Sequence, residues 1–396
     1  MKVLHVIASL DPRRGGPTEG VRQIARASLE WGQRTTVVTL DPPGMPYHEG
    51  NPFQSVALGP GMLTYGYTPK LAPWLRAHAA DFDAVIVDGI WQYSSFAVWR
   101  ALHGGPVPYF VFTHGMLDPY FKRAYPLKHL KKSIYWALGE YRVLRDARAV
   151  LFTCEEERRL ARESFRRYRV REEVVGYGTA EPVVDAAAAK RVFYAKYPQL
   201  QQRRVLLFLS RIHDKKGVDL LLEAYAVLAA TDPAWHLVLA GPCDEDLGRR
   251  LRGQAAGLGI EARVSWTGML NGDEKWGALH AAEAFVLPSH QENFGIAVAE
   301  AMACGTPVLI SDQVNIWREI ELDDAGIVAA DTLEGTHELL RRWSRLDAAA
   351  RARMGENAVA CFRRHFEIRR VARTISETIE RLATADRRLA AQPLAV

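Results

Sequence analysis

Short apolar runs, rich in β-branched residues and bounded by polar or glycine-containing stretches, recur along the whole chain. Val3–Ala8, Thr35–Thr39, Ala84–Val87 and Pro108–Phe112 lie in the first half. Val205–Leu209, His236–Ala240, Val264–Trp266 and Phe285–Leu287 lie in the second, and a further run opens at Val308. Runs of this kind suit parallel strands covered on both faces. Helical spacing fills the intervals: Val21–Trp31 follows the first run, and Leu220, Leu221, Ala224 and Tyr225 share one face after Val205–Leu209. The alternation predicts an α/β protein built on doubly wound parallel sheets. Around Gly176–Pro182 the pattern lapses into GYGTAEP, which predicts a domain boundary. Domains are expected over 1–180 and 181–366, with Val328 leading into helical segments and a last helix over Glu367–Leu389.

The densest pattern is Ala284–Ser311, AFVLPSHQENFGIAVAEAMACGTPVLIS. It predicts a buried strand, a polar loop, a helix from about Asn293 to Cys304 and a second strand. Gly305 stands where a C-capping glycine belongs, and Pro307 stops the helix. Ile296, Ala297, Val298, Ala299, Ala301, Met302 and Ala303 are apolar or small almost all round, so the helix is expected to be buried. Glu292 and Glu300 interrupt this setting eight residues apart. On a continuous helix that spacing is roughly 12 Å, wider than the ~5–9.5 Å of glycosidase carboxylates. It suits the two ends of one long ligand, a sugar and a ribose separated by a diphosphate. A buried helix with one capping and one solvent-reaching glutamate fits the pair as well.

At 396 residues the chain exceeds one ordinary core, and the 48% hydrophobic and 24% charged residues describe a globular protein. No apolar run approaches the ~18 residues of a spanning helix, and MKVLHVIASL reads as a first strand rather than a secretion signal. Cys154, Cys243, Cys304 and Cys361 are scattered, which argues against a metal cluster or disulfide framework and suits a cytoplasmic setting. The net charge of +5 suits an anionic ligand or an acidic membrane surface. No nucleic-acid-binding signature accompanies it.

Other candidate chemistry lies in the turns that follow strands, where open parallel sheets bind ligands. Gly15-Gly16 could bring backbone N–H groups to a phosphate or simply form a turn with positive φ. His114 in Thr113-His114-Gly115 and the stretch Asp88–Gln92 end their own strands; the latter is a candidate acceptor contact. Arg211 and Lys216 flank a strand-to-helix turn, where two cations and a helix N-terminus can converge on an anion or merely be solvated. Asp244-Glu245-Asp246 contains D-x-D, but acids following Gly-Pro at a helix start answer to the helix dipole. Tyr120–Arg145 interleaves Lys122, Arg123, Lys128, Lys131 and Lys132 with Tyr120, Phe121, Tyr125, Tyr135 and Trp136. That mixture suits an anionic bilayer surface or a solvated helix face with its aromatics in the core. A second basic cluster, Arg158–Arg171, could extend that face.

S-x-x-E-N-F-G-I-x-x-x-E-A-M-A-C-G-T-P-V, from Ser289 to Val308, resembles the E-x₇-E signature of family 4 retaining glycosyltransferases. The resemblance implies the GT-B fold, two Rossmann-like domains facing a central cleft, with residues 367–396 as a helix crossing back to the first. It implies that Glu292 holds the sugar hydroxyls, Glu300 the ribose, and Arg211 with Lys216 (Lys215 being the alternative lysine) the diphosphate. Asn293, Phe294, Gly295 and Ile296 would meet the donor at the helix start. Gly16 would face its sugar-phosphate, His114 the donor sugar, and Met269 and Leu270 the base. It further implies a hexose donor of UDP-glucose type, with GDP-mannose second, a glycan or lipid-linked acceptor, no metal or other cofactor, and no dedicated protein base. Peripheral contact with an anionic membrane at its inner face is a further expectation. Asn315–Glu319 departs from the family, where many relatives have a Gly-Gly turn. A GT-B-shaped epimerase and a non-catalytic nucleotide-sugar-binding protein are the rival readings.

Overall fold

The computed structural model describes residues 1–390, with side chains through 383. Two compact units divide it: Met1–Gly178 together with the helix that starts at Ile368, and Thr179–Glu367. The divisions fall within two residues of those expected at 180/181 and 366/367.

The first unit holds a seven-stranded parallel sheet in the order β3 (Gln54–Ala57), β2 (Arg34–Thr39), β1 (Lys2–Ile7), β4 (Ala84–Asp88), β5 (Tyr109–Phe112), β6 (Ala149–Phe152) and β7 (Glu172–Val174). The second holds a six-stranded parallel sheet ordered β10 (Val264–Gly268), β9 (Trp235–Ala240), β8 (Arg204–Leu209), β11 (Ala284–Leu287), β12 (Val308–Ser311) and β13 (Gly326–Ala329). In the first sheet Val85 and Val111 on one face and Ile86 and Phe110 on the other are buried, as are the adjacent Leu237 and Val238, which point to opposite faces, in the second. Both faces of each sheet are therefore covered, as the unbroken apolar runs predicted. Strand order reverses between β1 and β4 in one sheet and between β8 and β11 in the other. At such switch points the loops after adjacent strands diverge and leave a crevice.

Several expectations need correction. Val328 belongs to β13 rather than to a helix. The first helix begins earlier than Val21, at Gly16, and runs to Ser28 before a 3₁₀ turn over Leu29–Trp31. The helix after β11 spans only Ile296–Ala303, because Gly295 adopts the left-handed conformation at φ 76°. Asn293, Phe294 and Gly295 therefore precede the helix, and the 12 Å spacing does not apply to Glu292 and Glu300.

The helix Ile368–Ala390 lies on the helix Gly16–Ser28 within the first unit. It buries Ile368, Val371, Ala372, Ile375, Ile379 and Leu382, a stripe with helical spacing. Ser376 donates to Gln33 at 2.8 Å, and Arg381 pairs with Glu173 at 2.9 Å.

Candidate active site residues in each unit

In the second unit the two switch-point loops bring several of the predicted site residues together. After β8 the chain turns through Asp214–Lys216 into the helix Val218–Thr231, with Gly217 at φ 64° between them. A Cβ on Gly217 would lie 2.1 Å from the Pro288 carbonyl oxygen, so this loop must press against the loop after β11. The result is an ion pair: buried Lys216 donates from Nζ to Oε2 of Glu292. Lys215 reaches Gln291 instead, at 3.2 Å. Arg211 stands exposed on the same loop.

Glu292 is fixed through its backbone. Its N–H donates to Gln313 at 2.9 Å and its carbonyl accepts from Asn315 at 3.0 Å, forming a short bridge to Val314. The Asn315–Glu319 segment, which departs from the family pattern, thus contains one of the residues that tether the key glutamate. Beyond Gly295, the first helical bonds run from Val298 and Ala299 to the Gly295 carbonyl. The amides of Ile296 and Ala297 consequently have no acceptor within the helix, which makes this end a place for anionic oxygen. Glu300 is mid-helix and buried, paired with Lys275 at 2.7 Å. Lys275 lies 4.1 Å from the Trp276 ring centroid. Sequence reasoning missed Lys275, because nothing local links it to Glu300, 25 residues away.

The remaining predicted residues divide by what they expose. Phe294 is buried with its ring edge-on to Phe366, and Leu270 is buried, so what these two offer a ligand is chiefly backbone. Met269 is 59% exposed after β10. Asp244 accepts from the amides of Asp246 and Leu247 as the cap of the helix Glu245–Gly257.

In the first unit, Gly15 caps the helix that starts at Gly16, with φ 91° and ψ −147°. The turn requires glycine there, and the same turn presents Gly16 at the helix start. The Gly16 carbonyl is held by the Tyr177 hydroxyl at 2.8 Å. His114 has φ 48°, left-handed for a non-glycine residue and costly by about 1–3 kcal/mol. The turn is held by Glu157, whose Oε1 accepts from Thr113 Oγ1 at 2.8 Å and Gly115 N at 2.5 Å. Its Oε2 accepts from the amide and hydroxyl of Thr153. The His114 ring stacks on Phe112 at 4.6 Å and meets Asp88 Oδ1 at 3.2 Å through Nε2. Asp88 Oδ2 in turn lies 2.7 Å from Nδ1 of buried His5. These two histidines hold the Asp88 carboxyl below its ordinary range despite the opposing effect of burial. Asp88 thereby orients His114. His5 and Glu157 were not foreseen.

Both halves match known families. Residues 15–178 match the family described as "Glycosyl transferase 4-like domain", and residues 191–360 match "Glycosyl transferases group 1". The GDP-mannose:cellobiosyl-diphosphopolyprenol alpha-mannosyltransferase of Xanthomonas oryzae pv. oryzae is 30% identical over 327 residues, 79% of each chain. The chain belongs to the group 1 glycosyl transferases. It is a hexosyltransferase with the GT-B fold that uses a nucleotide-sugar donor. The D-inositol 3-phosphate glycosyltransferase of Geodermatophilus obscurus is 34% identical over 163 residues, 38% of this chain and 36% of that one. Among solved structures, Anabaena Alr3699/HepE in complex with UDP superposes with a TM-score of 0.79 at 19% identity, covering 96% of this chain and all of that one. Sucrose-phosphate synthase from Thermosynechococcus elongatus does so with 0.73 at 20% identity, covering 97% and 100%. These two likenesses bear on the fold.

Proposed function

We propose that this group 1 glycosyl transferase moves a hexose from a nucleotide diphosphate sugar to a hydroxyl of a lipid-linked glycan, with retention at the anomeric carbon. The observation that carries the reading is the Lys216–Glu292 pair beside the amide-bearing start of the helix Ile296–Ala303. A donor phosphate can take over the lysine, and the released carboxylate can then accept hydrogen bonds from sugar hydroxyls. Arg211 and the Ile296 and Ala297 amides would stabilise charge growing on the leaving diphosphate. Glu300 would hold the ribose, with Lys275 keeping its carboxylate in place. No metal is assigned a part in these steps.

For the donor, the Xanthomonas relative named for GDP-mannose favours that sugar nucleotide over the UDP-glucose type that the motif alone put first. Its name also motivates the lipid-diphosphate acceptor. The test is a donor panel with and without a polyprenyl-diphosphate glycan. GDP-mannose should be consumed fastest, only with acceptor, and the product should keep the donor's anomeric configuration. A new sugar formed from donor alone would mean an epimerase, and binding without turnover a non-catalytic protein. A donor-soaked crystal with its diphosphate away from Lys216 and the Ile296 amide would overturn the site assignment.

A further inference from the structure

The helices Tyr120–Ala124 and Pro126–Tyr135, followed by the π-helical turn Trp136–Glu140, form a two-sided element in the first unit. One side is anchored. His129 stacks on Phe165 at 4.7 Å, and the Lys132 ammonium lies 4.7 Å from the Trp91 ring centroid. Trp136 is 4% exposed and donates from its ring N–H to the Arg166 carbonyl at 3.1 Å. The other side carries Leu127, Leu130, Ile134 and Leu138, which are 79%, 61%, 58% and 68% exposed. Their spacings of three and four residues put them in one stripe along the element. A row of four large apolar side chains in water is costly for a protein otherwise able to bury such residues.

Charge accompanies the stripe. From Pro119 to Gly139 the chain has Lys122, Arg123, Lys128, Lys131 and Lys132 and no acidic residue. Lys128 and Lys131 are exposed within the same two turns as Leu127 and Leu130. A second apolar tip adjoins the element: Tyr65 and Tyr135 share a 2.6 Å hydrogen bond between hydroxyls. That bond ties in the turn Met62–Tyr67, where Met62 is 60% and Leu63 91% exposed.

We propose that this face docks on an anionic lipid surface, its leucines and isoleucine entering the acyl boundary while the lysines meet phosphate headgroups. Among the described residues no helix is long and apolar enough to cross a membrane, so the element would lie in the interface. Charge complementarity selects lipid over a second copy of the chain, because two such faces would set like charges against each other. The inference goes beyond the proposed transfer reaction, and binding to vesicles is read without turnover, so either can fail alone.

The test is co-sedimentation of the full chain with phosphatidylglycerol/phosphatidylcholine vesicles and with phosphatidylcholine alone, beside light scattering of the free protein. The parent should bind the anionic vesicles and release them in high salt. Leu130→Asp/Ile134→Asp should abolish binding, and Lys128→Gln/Lys131→Gln should weaken it by about fivefold per lysine. Both pairs are exposed, so their consumption of donor with a water-soluble acceptor should stay at the parent's level. Equal binding by parent and stripe variant, or no preference for anionic vesicles, would overturn the proposal. So would a dimer that the stripe variant turns into monomers.

Discussion

The two sheets solve the same topological problem with different electrostatics. At the switch point of the first unit and beside it, carboxylates are satisfied by histidines, hydroxyls and backbone amides: Asp88 by His5 and His114, Glu157 by Thr113, Gly115 and Thr153. In the second unit Glu292 and Glu300 each face a lysine. Backbone amides cannot turn away, so an acid bound to them fixes geometry. A lysine has three rotatable donors on a flexible stem, so it can be handed to a ligand. The first arrangement holds a strained turn; the second, under the proposed function, is a charge set that an anionic donor would exchange into.

Glu292→Gln should break that contrast most visibly. It keeps shape and loses the charge that Lys216 faces and that the proposed function gives to the sugar hydroxyls, so turnover should fall by about 10²–10³, or roughly 3–4 kcal/mol of transition-state stabilisation. Glutamine's amide oxygen can still accept from buried Lys216, so thermal unfolding should change far less than turnover. Glu157→Gln should do the reverse. Its amide –NH₂ would face a backbone N–H of either Gly115 or Thr153, costing about 1–3 kcal/mol of stability by urea denaturation. Activity lost from Glu157→Gln with no loss of stability would contradict the division of labour.

A second contrast lies in the pH response. Burial raises the Glu140 carboxyl to about 7, and Ser95, the Trp91 amide and Tyr135 beside it offset only part of that. A raised carboxyl means the fold prefers the protonated form. The first unit should therefore lose stability as pH rises from about 4.5 to about 7, by up to about 3 kcal/mol, and no further above that. Glu140→Gln should remove the slope, leaving the variant more stable than the parent at pH 8 and equal at pH 4. In the second unit burial, with Arg203 and Arg263 nearby, lowers His236 to about 4. Its contribution runs the other way, with stability lost as pH falls from 6.5 towards 4. Hydrogen exchange resolved by unit at pH 5 and pH 8 separates the two.

How far the sequence foretold these sites follows the same divide. Glu292, Gly295 and Glu300 stand in one contiguous motif, and Lys216 in another, so their spacing was visible. His5 and Asp88 are separated by 83 residues, and Gly115 and Glu157 by 42; a contact over such distances leaves no local pattern. The only trace of Glu157 was the run Glu155-Glu156-Glu157 opening a helix, which the helix dipole explains equally well. Strands β3, β6, β7 and β13 were missed: β3, β7 and β13 are short edge strands with half-buried sequences such as Glu172–Val174, and β6, though buried, is a run of only four residues. The exposed leucines of Pro126–Tyr135 escaped notice because amphipathic spacing does not say which apolar side chains find a core.

The smallest effect separates two glycines. Gly15 and Gly295 both have positive φ, 91° and 76°, so alanine at either should cost about 1–2 kcal/mol of stability. Their surroundings differ. A Cβ on Gly15 meets nothing within 4 Å, whereas on Gly295 it would lie 3.0 Å from Val298 Cγ2 and 3.3 Å from Glu292 Cγ. Gly295→Ala should therefore push the glutamate as well as strain the backbone, and raise the donor KM several-fold more than Gly15→Ala does at matched stability. If the two variants weaken donor binding equally, the position of Glu292 is not what the left-handed glycine protects.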